Sequence, residues 1–190
     1  TYIFMALRIL QSLTPDSVGI RKKQKSMVFE KYYSLCLNWT GLNNIYQHEL
    51  KKAVSVLRAN KNLLLLPDVN AVVKNSVFVD FFGIKAATIT SVSKLAKLGR
   101  ANVVVMNFYR KENNQYYLDF EDLSGQITVS DYEKDAALIN KTFEKYIAAY
   151  PDQYNWSLRR FKRRPVGDCS TINYPLKPRK RRALSSQKKL

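Results

Sequence analysis

The sequence predicts an α/β fold with a mixed, mostly parallel sheet flanked by helices. Three observations carry that expectation. Short unbroken apolar runs, "LLLLPD" at 63–68 and "ANVVVMNFY" at 101–109, have the length of strands buried on both faces. Amphipathic stretches of helical period alternate with those runs. Apolar residues make up 46% of the 190, enough for one core and too many for a disordered chain.

Taken in order, residues 2–13, "YIFMALRILQSL", are apolar on most sides and stop at Thr14-Pro15, which predicts a buried helix. A basic patch, "RKKQK" at 21–25, precedes the apolar-aromatic "MVFEKYYSLCLNW". Residues 47–61 place Leu50, Ala53, Val54 and Leu57 on one helical face with Lys and Arg opposite, and Asn60 is a stop signal. "LLLLPD" follows as a strand ended by Pro67-Asp68. "SVFVDFFG" at 76–83 is an apolar run closed by Gly83, whose freedom at positive φ suits a turn. Residues 90–99 turn Val92, Leu95, Ala96 and Leu98 inward, with Thr88 and Ser91 as candidate N-caps and Gly99 as the C-terminal cap. The half-alternating "QYYLDFEDL" at 115–123 pairs with the 101–109 strand through the turn-like "KENNQ". A helix begins after the Asp131 cap, with Ala137, Ile139, Phe143, Tyr146 and Ile147 at helical spacing. One folded domain, 1–167, is expected, with a basic, disordered tail at 168–190.

Charge is concentrated at the C-terminal end. From Arg159 onward there are twelve basic residues against Asp168 alone, so the last 32 residues hold +11 of the formal net charge of +17. Such an excess implies an anionic partner: nucleic acid, an anionic membrane leaflet or a phosphorylated ligand. No nucleic-acid-binding motif or aromatic stacking platform is present, which argues against the first. Cys36 and Cys169 are too far apart in sequence for a metal-spaced pair, and a reducing compartment is the default. No run reaches the roughly 18 apolar residues of a membrane-spanning helix.

Catalytic chemistry is sparse. His48 is the only histidine, beside Gln47 and Glu49 at the start of a helix, where a solvated role is the ordinary one. A His/Cys zinc cluster, a Gly-x-Ser-x-Gly elbow, a dinucleotide fingerprint and a phosphate-binding loop are all missing, so no cofactor, metal site or catalytic residue is assigned.

Five segments occur in the order found in the late acyltransferases of lipid A biosynthesis, the lauroyl/myristoyl transferase family. They are "LKKAVSVLRANK", "LLLLPD", "NSVFVDFFG", "KAATITSVSKLAKLGRANVVVMNFYR" and "FEKYIAAYPDQYNWSLRRFKRRP". The resemblance covers roughly residues 49–167 and extends more weakly towards residue 1. It implies a glycerolphosphate-acyltransferase-like sandwich at the cytoplasmic face of the inner membrane of a Gram-negative bacterium. It also implies transfer of an acyl chain from acyl-acyl carrier protein to a hydroxyl of a phosphorylated glucosamine lipid. Family members use a His-x4-Asp/Glu pair, in which the imidazole takes the acceptor's proton and the carboxylate orients it.

This sequence departs from that pattern at the pair itself. No His-x4-Asp/Glu occurs in it, and Thr1 and Met5 stand near where the two residues would align. Pro67-Asp68-Val69-Asn70 keeps the family's acidic stretch. Lys74 stands where arginine is expected, Asp80 where proline is usual, and an expected arginine is replaced within "SLCLNWTGL". Two explanations follow: a piece whose membrane helix and histidine lie upstream, or a diverged homologue that binds anionic lipid without catalysis.

The candidate substrate-binding residues are Asp68, Lys74, Ser76, Arg110, Arg159 and Arg160. Asp68 ends a strand, where open α/β sheets place ligands. Lys74 and Ser76 can donate to anionic oxygen, and Arg110 ends a central strand. Arg159 and Arg160 are candidates for clamping phosphate bidentately. Trp156, Arg163 and Arg164 are the candidates for contact with membrane and lipid phosphate, the indole at the interface and the guanidiniums on the headgroups.

Overall fold

The computed structural model describes residues 3–69, 75–165 and 167. Helix α1 (Ile3–Leu13) leads into strand β1 (Val18–Arg21), helix α2 (Met27–Thr40), strand β2 (Asn43–Tyr46), helix α3 (Leu50–Arg58) and the short strand β3 (Leu63–Leu64). Strands β4 (Ser76–Phe81) and β5 (Ile84–Ile89) follow, then helix α4 (Ser91–Gly99), strands β6 (Val104–Arg110) and β7 (Tyr116–Asp122), and helix α5 (Tyr132–Ala149). Two 3-10 turns, Pro151–Gln153 and Trp156–Leu158, come after α5.

The mixed α/β character is as expected, but the pairing is not mostly parallel. Among the described residues, β1 pairs in parallel with β2 and with β3, while β4–β5 and β6–β7 are antiparallel hairpins. Strands β1, β2 and β5 lie where no strand is expected from the sequence. "VGIR" and "NNIY" have only four residues each and show no usable period. The run at 63–68 is also less enclosed than its composition suggests: only Leu63 and Leu64 join a ladder, and Leu66 is exposed.

The local signals that hold do so for identifiable reasons. Asp131 Oδ1 accepts from the backbone N–H of Glu133 at 3.2 Å and of Lys134 at 3.0 Å, satisfying two orphan donors at the start of α5. Phe82 and Gly83 both take positive φ, 52° and 73°, and so join β4 to β5 through a two-residue turn matched to strand twist. Gly99 has a different role from the cap expected of it. It is the last residue of α4, and Arg100 takes the left-handed position at φ 55°. A Cβ on Gly99 would stand 2.6 Å from Leu57 Cβ, so glycine is what lets α4 approach α3. Thr90, with no side-chain cap bond, precedes α4, and Thr88 belongs to β5 instead.

The core is organised by α5. One cluster joins Phe81 and Ala86 of the β4–β5 hairpin to Ile147, with Phe143, Tyr154 and Phe161 packed on it. A second joins Val105 of β6 and Leu123 to Ile139. Asp135, wholly buried on α5, accepts from Thr128 N at 2.7 Å, Thr128 Oγ1 at 3.0 Å and Val129 N at 3.0 Å, which pins the preceding loop to the helix.

Candidate functional site

Between β3 and β6 lies a cavity of about 400 Å³. Consecutive residues of both stretches, 63–68 and 101–108, line it, while α1 contributes Ala6 and Leu7 and α5 contributes Ile139, Phe143 and Ile147. Leucine, isoleucine, valine and phenylalanine dominate the wall. A volume of this order falls within the roughly 300–1,000 Å³ of small-ligand pockets.

Polar groups enter at the carboxyl ends of the parallel strands. The register Val18↔Leu63 and Gly19↔Leu64 carries β1 and β3 in the same direction, so Arg21 and Asp68 emerge towards the same edge, and both line the cavity. This is where open α/β sheets place their ligands.

Arg21 is held from behind. Its Nη2 donates to Glu30 Oε1 at 2.6 Å and to Ser34 Oγ at 3.1 Å, and the guanidinium lies 4.8 Å from the Tyr46 ring centroid. Its Nε and Nη1 are buried with no hydrogen-bond partner among the described residues. Hydrogen bonds from Arg21 and from the backbone N–H of Gln24 hold the Glu30 carboxyl down at about 2. The ion pair with Glu30 raises the Arg21 guanidinium in turn. Asp68 moves the other way: burial raises its carboxyl, only partly offset by the charge of Arg160 and a hydrogen bond from Tyr154.

The predicted residues do not converge on one site. Asp68 and Arg160 come together, but Arg160 is an interior residue, 2% exposed, rather than a surface clamp. Its Nη1 donates to Ala87 O at 2.5 Å and Val69 O at 3.3 Å, and its Nη2 to Thr88 Oγ1 at 2.7 Å and Asn140 Oδ1 at 3.1 Å. The guanidinium stacks 5.2 Å from the Phe81 centroid, and burial pulls its pKa down. With both terminal nitrogens committed to protein oxygens, it has no fork left for phosphate. The turn responsible is at Arg159, whose φ of 50° swings the chain so that the next side chain points inward.

Ser76 begins β4 opposite Ile89. Arg110 ends β6, and its backbone is gripped by the Gln153 amide, which accepts from Arg110 N at 2.8 Å and donates to Arg110 O at 2.7 Å. Trp156 is 49% exposed but anchored: its Nε1 donates to Pro151 O at 2.7 Å and its ring meets Phe82 and Tyr154. Arg163 and Arg164 are half-buried. Lys74, Asn70, Thr1, Cys169 and the 168–190 tail lie outside the described residues. His48 is exposed and stacks on Tyr46 at 5.7 Å.

Arg21 is the residue sequence reasoning missed. It stands first in the basic patch at 21–25, but it closes the apolar "VGI" of a strand, whereas Lys22, Lys23 and Lys25 face solvent. An arginine ending an apolar run, with a glutamate nine residues on, was the available signal.

Comparison with known proteins adds to this geometry. A family model described as bacterial lipid A biosynthesis acyltransferase matches residues 4–163. The chain is 32% identical over 129 residues to a lipid A biosynthesis acyltransferase of Haemophilus influenzae, covering 67% of this chain and 40% of that protein. It is 32% identical over 127 residues to the lipid A biosynthesis palmitoleoyltransferase of Escherichia coli, covering 66% and 42%. The lauroyltransferase of the same organism matches at 35% over 121 residues, covering 63% and 40%. The matched region is thus only about two fifths of the length of these curated relatives.

Proposed function

This chain belongs to the bacterial lipid A biosynthesis acyltransferase family, and on that premise we propose that it holds the fatty chain and the lipid in an acyl transfer reaction. The reaction is transfer of a fatty acyl group from acyl-acyl carrier protein to a hydroxyl of a phosphorylated glucosamine lipid, at the cytoplasmic face of the inner membrane of a Gram-negative bacterium. The single observation that carries the reading is the largely apolar cavity of about 400 Å³ between β3 and β6, with Arg21 and Asp68 in its lining.

Each methylene moved from water into such a wall contributes about 0.8 kcal/mol, so the cavity supplies affinity for the hydrocarbon. The head of the chain then lies towards Arg21 and Asp68. The two unpartnered Arg21 donors suit the acyl carbonyl oxygen, on which negative charge grows as the acceptor hydroxyl oxygen attacks the carbonyl carbon. The carbon–sulfur bond of the thioester breaks, an ester forms, and the hydroxyl proton ends on the released thiol. No residue of this chain is assigned as the base that takes that proton first.

The test is to incubate the folded chain with labelled acyl-acyl carrier protein and the phosphorylated glucosamine lipid. Label transferred to the lipid well above a no-protein control is the expected result. A second reading, anionic-lipid binding without transfer, is favoured by Met5. This half-buried α1 residue stands where the family's catalytic carboxylate would align. Saturable binding of a fatty chain with no label transferred would select that reading.

A further inference from the structure

Helix α2 is built inside out. Its inward side carries Leu37 and Thr40, both buried, and Glu30 and Ser34, which receive Arg21. Its outward side carries Met27, Val28, Tyr32, Leu35 and Trp39, which are 88%, 81%, 64%, 59% and 64% exposed. Positions 28, 32, 35 and 39 fall at the spacing of one helical stripe, and the stripe lies across the helix from Leu37. Phe4 of α1 joins Leu35, Cys36 and Trp39 around a shallow cleft, so the apolar surface continues onto a second helix. A helix that met only water would be turned the other way, and a contiguous apolar patch of this kind marks an interaction surface.

The charges at its edge say what covers it. Lys22, Lys23 and Lys25 are all exposed in the loop that enters α2, and Lys31 is exposed on the flank of the same face. The only carboxylate on α2, Glu30, points inward to Arg21. Lysines beside an apolar stripe, with no acid on that face of the helix, match lipid phosphates beside acyl chains. Tyr32 and Trp39 have the amphipathic rings favoured at that boundary. Helix α2 has 14 residues, too few to cross a membrane, so its own mode is one of lying on the surface.

We propose that α2 and the 22–25 loop form a docking surface for an anionic bilayer, with Val28, Tyr32, Leu35 and Trp39 in the headgroup–acyl boundary and the lysines on lipid phosphates. The surface is separate from the Trp156, Arg163 and Arg164 segment predicted from sequence, and it goes beyond acyl transfer. A chain that binds vesicles without transferring acyl groups leaves this inference standing while sinking the catalytic one.

The chain has two tryptophans, so each can be read alone. With phosphatidylglycerol–phosphatidylcholine vesicles containing brominated lipid, the Trp156→Phe chain, which keeps Trp39, is expected to blue-shift and to be quenched. The Trp39→Phe chain is expected to show little of either. The Val28→Asp/Leu35→Asp chain should bind the vesicles about tenfold or more weakly while melting like the parent. Replacing Lys22, Lys23 and Lys25 by Gln should cost about 10- to 100-fold at low salt and far less at high salt. Quenching of Trp156 and not Trp39 would overturn the proposal. So would a folded Val28→Asp/Leu35→Asp chain that binds vesicles as the parent does. A parent that sediments as a dimer, becomes a monomer on that double substitution and ignores vesicles would overturn it too, giving the face to a second copy. If the double variant fails to fold, the two single-tryptophan chains still decide.

Discussion

Among the described residues, Arg160 is buried and Arg21 largely so, and the two are held on different terms. Arg160 has no carboxylate at ion-pair distance among the described residues. Its terminal nitrogens are spread over two carbonyls, a hydroxyl and a side-chain amide of the loop before β4, of β5 and of α5. Both keep an unpartnered Nε among the described residues, but Arg21 has a carboxylate, Glu30, and its terminal Nη1 is also left over beside a cavity. The difference separates two uses of a buried cation. One whose terminal nitrogens are both spent on neutral oxygens fastens parts of the fold together. One that is balanced in charge but unsaturated in hydrogen bonds is equipped to receive an acceptor from outside.

The largest effect expected from this comparison is on stability at Arg160. Arg160→Met removes the charged donor that Ala87 O, Thr88 Oγ1 and Asn140 Oδ1 share and should cost about 3 kcal/mol, read as a lower midpoint in urea. A variant within about 0.5 kcal/mol of the parent would remove the fastening role. Next is ligand binding at Arg21. Arg21→Lys keeps the charge but loses the planar fork, so dodecanoate should bind about tenfold more weakly, measured by calorimetry. Arg160→Lys should leave that affinity unchanged at a temperature where it is folded. If the two variants exchange these phenotypes, the comparison is wrong.

How much of this was legible in advance depended on how local the cause was. The Asp131 cap, the Gly83 turn and the β6–β7 hairpin rest on residues a few positions apart, and each was readable. Strands β1 and β2 rest on a parallel ladder between segments some twenty-five residues apart, and four-residue strands carry too little pattern to announce it. Arg160 sat inside a charge run that looked solvent-facing. What buries it is the left-handed turn at Arg159, a conformation that an arginine does not advertise. Among the candidate site residues, Asp68 was singled out from an apolar run ended by Pro-Asp, and it lines the cavity. Arg21 was hidden by the lysines beside it.

A smaller effect sharpens the Arg160 side. Thr88→Val keeps the shape of the side chain and removes the hydroxyl that accepts from Arg160 and Asn140 and donates to Ala86 O, and should cost about 1 kcal/mol in the same urea measurement. No change would mean that Asn140 and Ala87 suffice. The smallest concerns Glu30. Its carboxyl stays ionised in the folded protein down to about 2, whereas the unfolded chain takes up the proton near 4.5. Its contribution is therefore complete above 4.5 and is lost as the pH falls through about 2. The parent should be more stable than Glu30→Gln at neutral pH, and the gap should close over that acid range. A gap independent of pH would show that the Arg21–Glu30 pair does not form in solution.

The grip of Gln153 on the backbone of Arg110 has a bearing on strand pairing as well as on shape. A side-chain amide carries one donor and one acceptor at nearly the spacing of a peptide group, so Gln153 imitates one residue of a neighbouring strand. Among the described residues β6 is paired with β7 on one side only, and at its last residue that imitation occupies the groups another strand would use to add itself to the sheet. A single glutamine thus caps the free edge at the end of β6. The same glutamine also lines the cavity, so the grip that caps this strand end helps to shape the cavity wall.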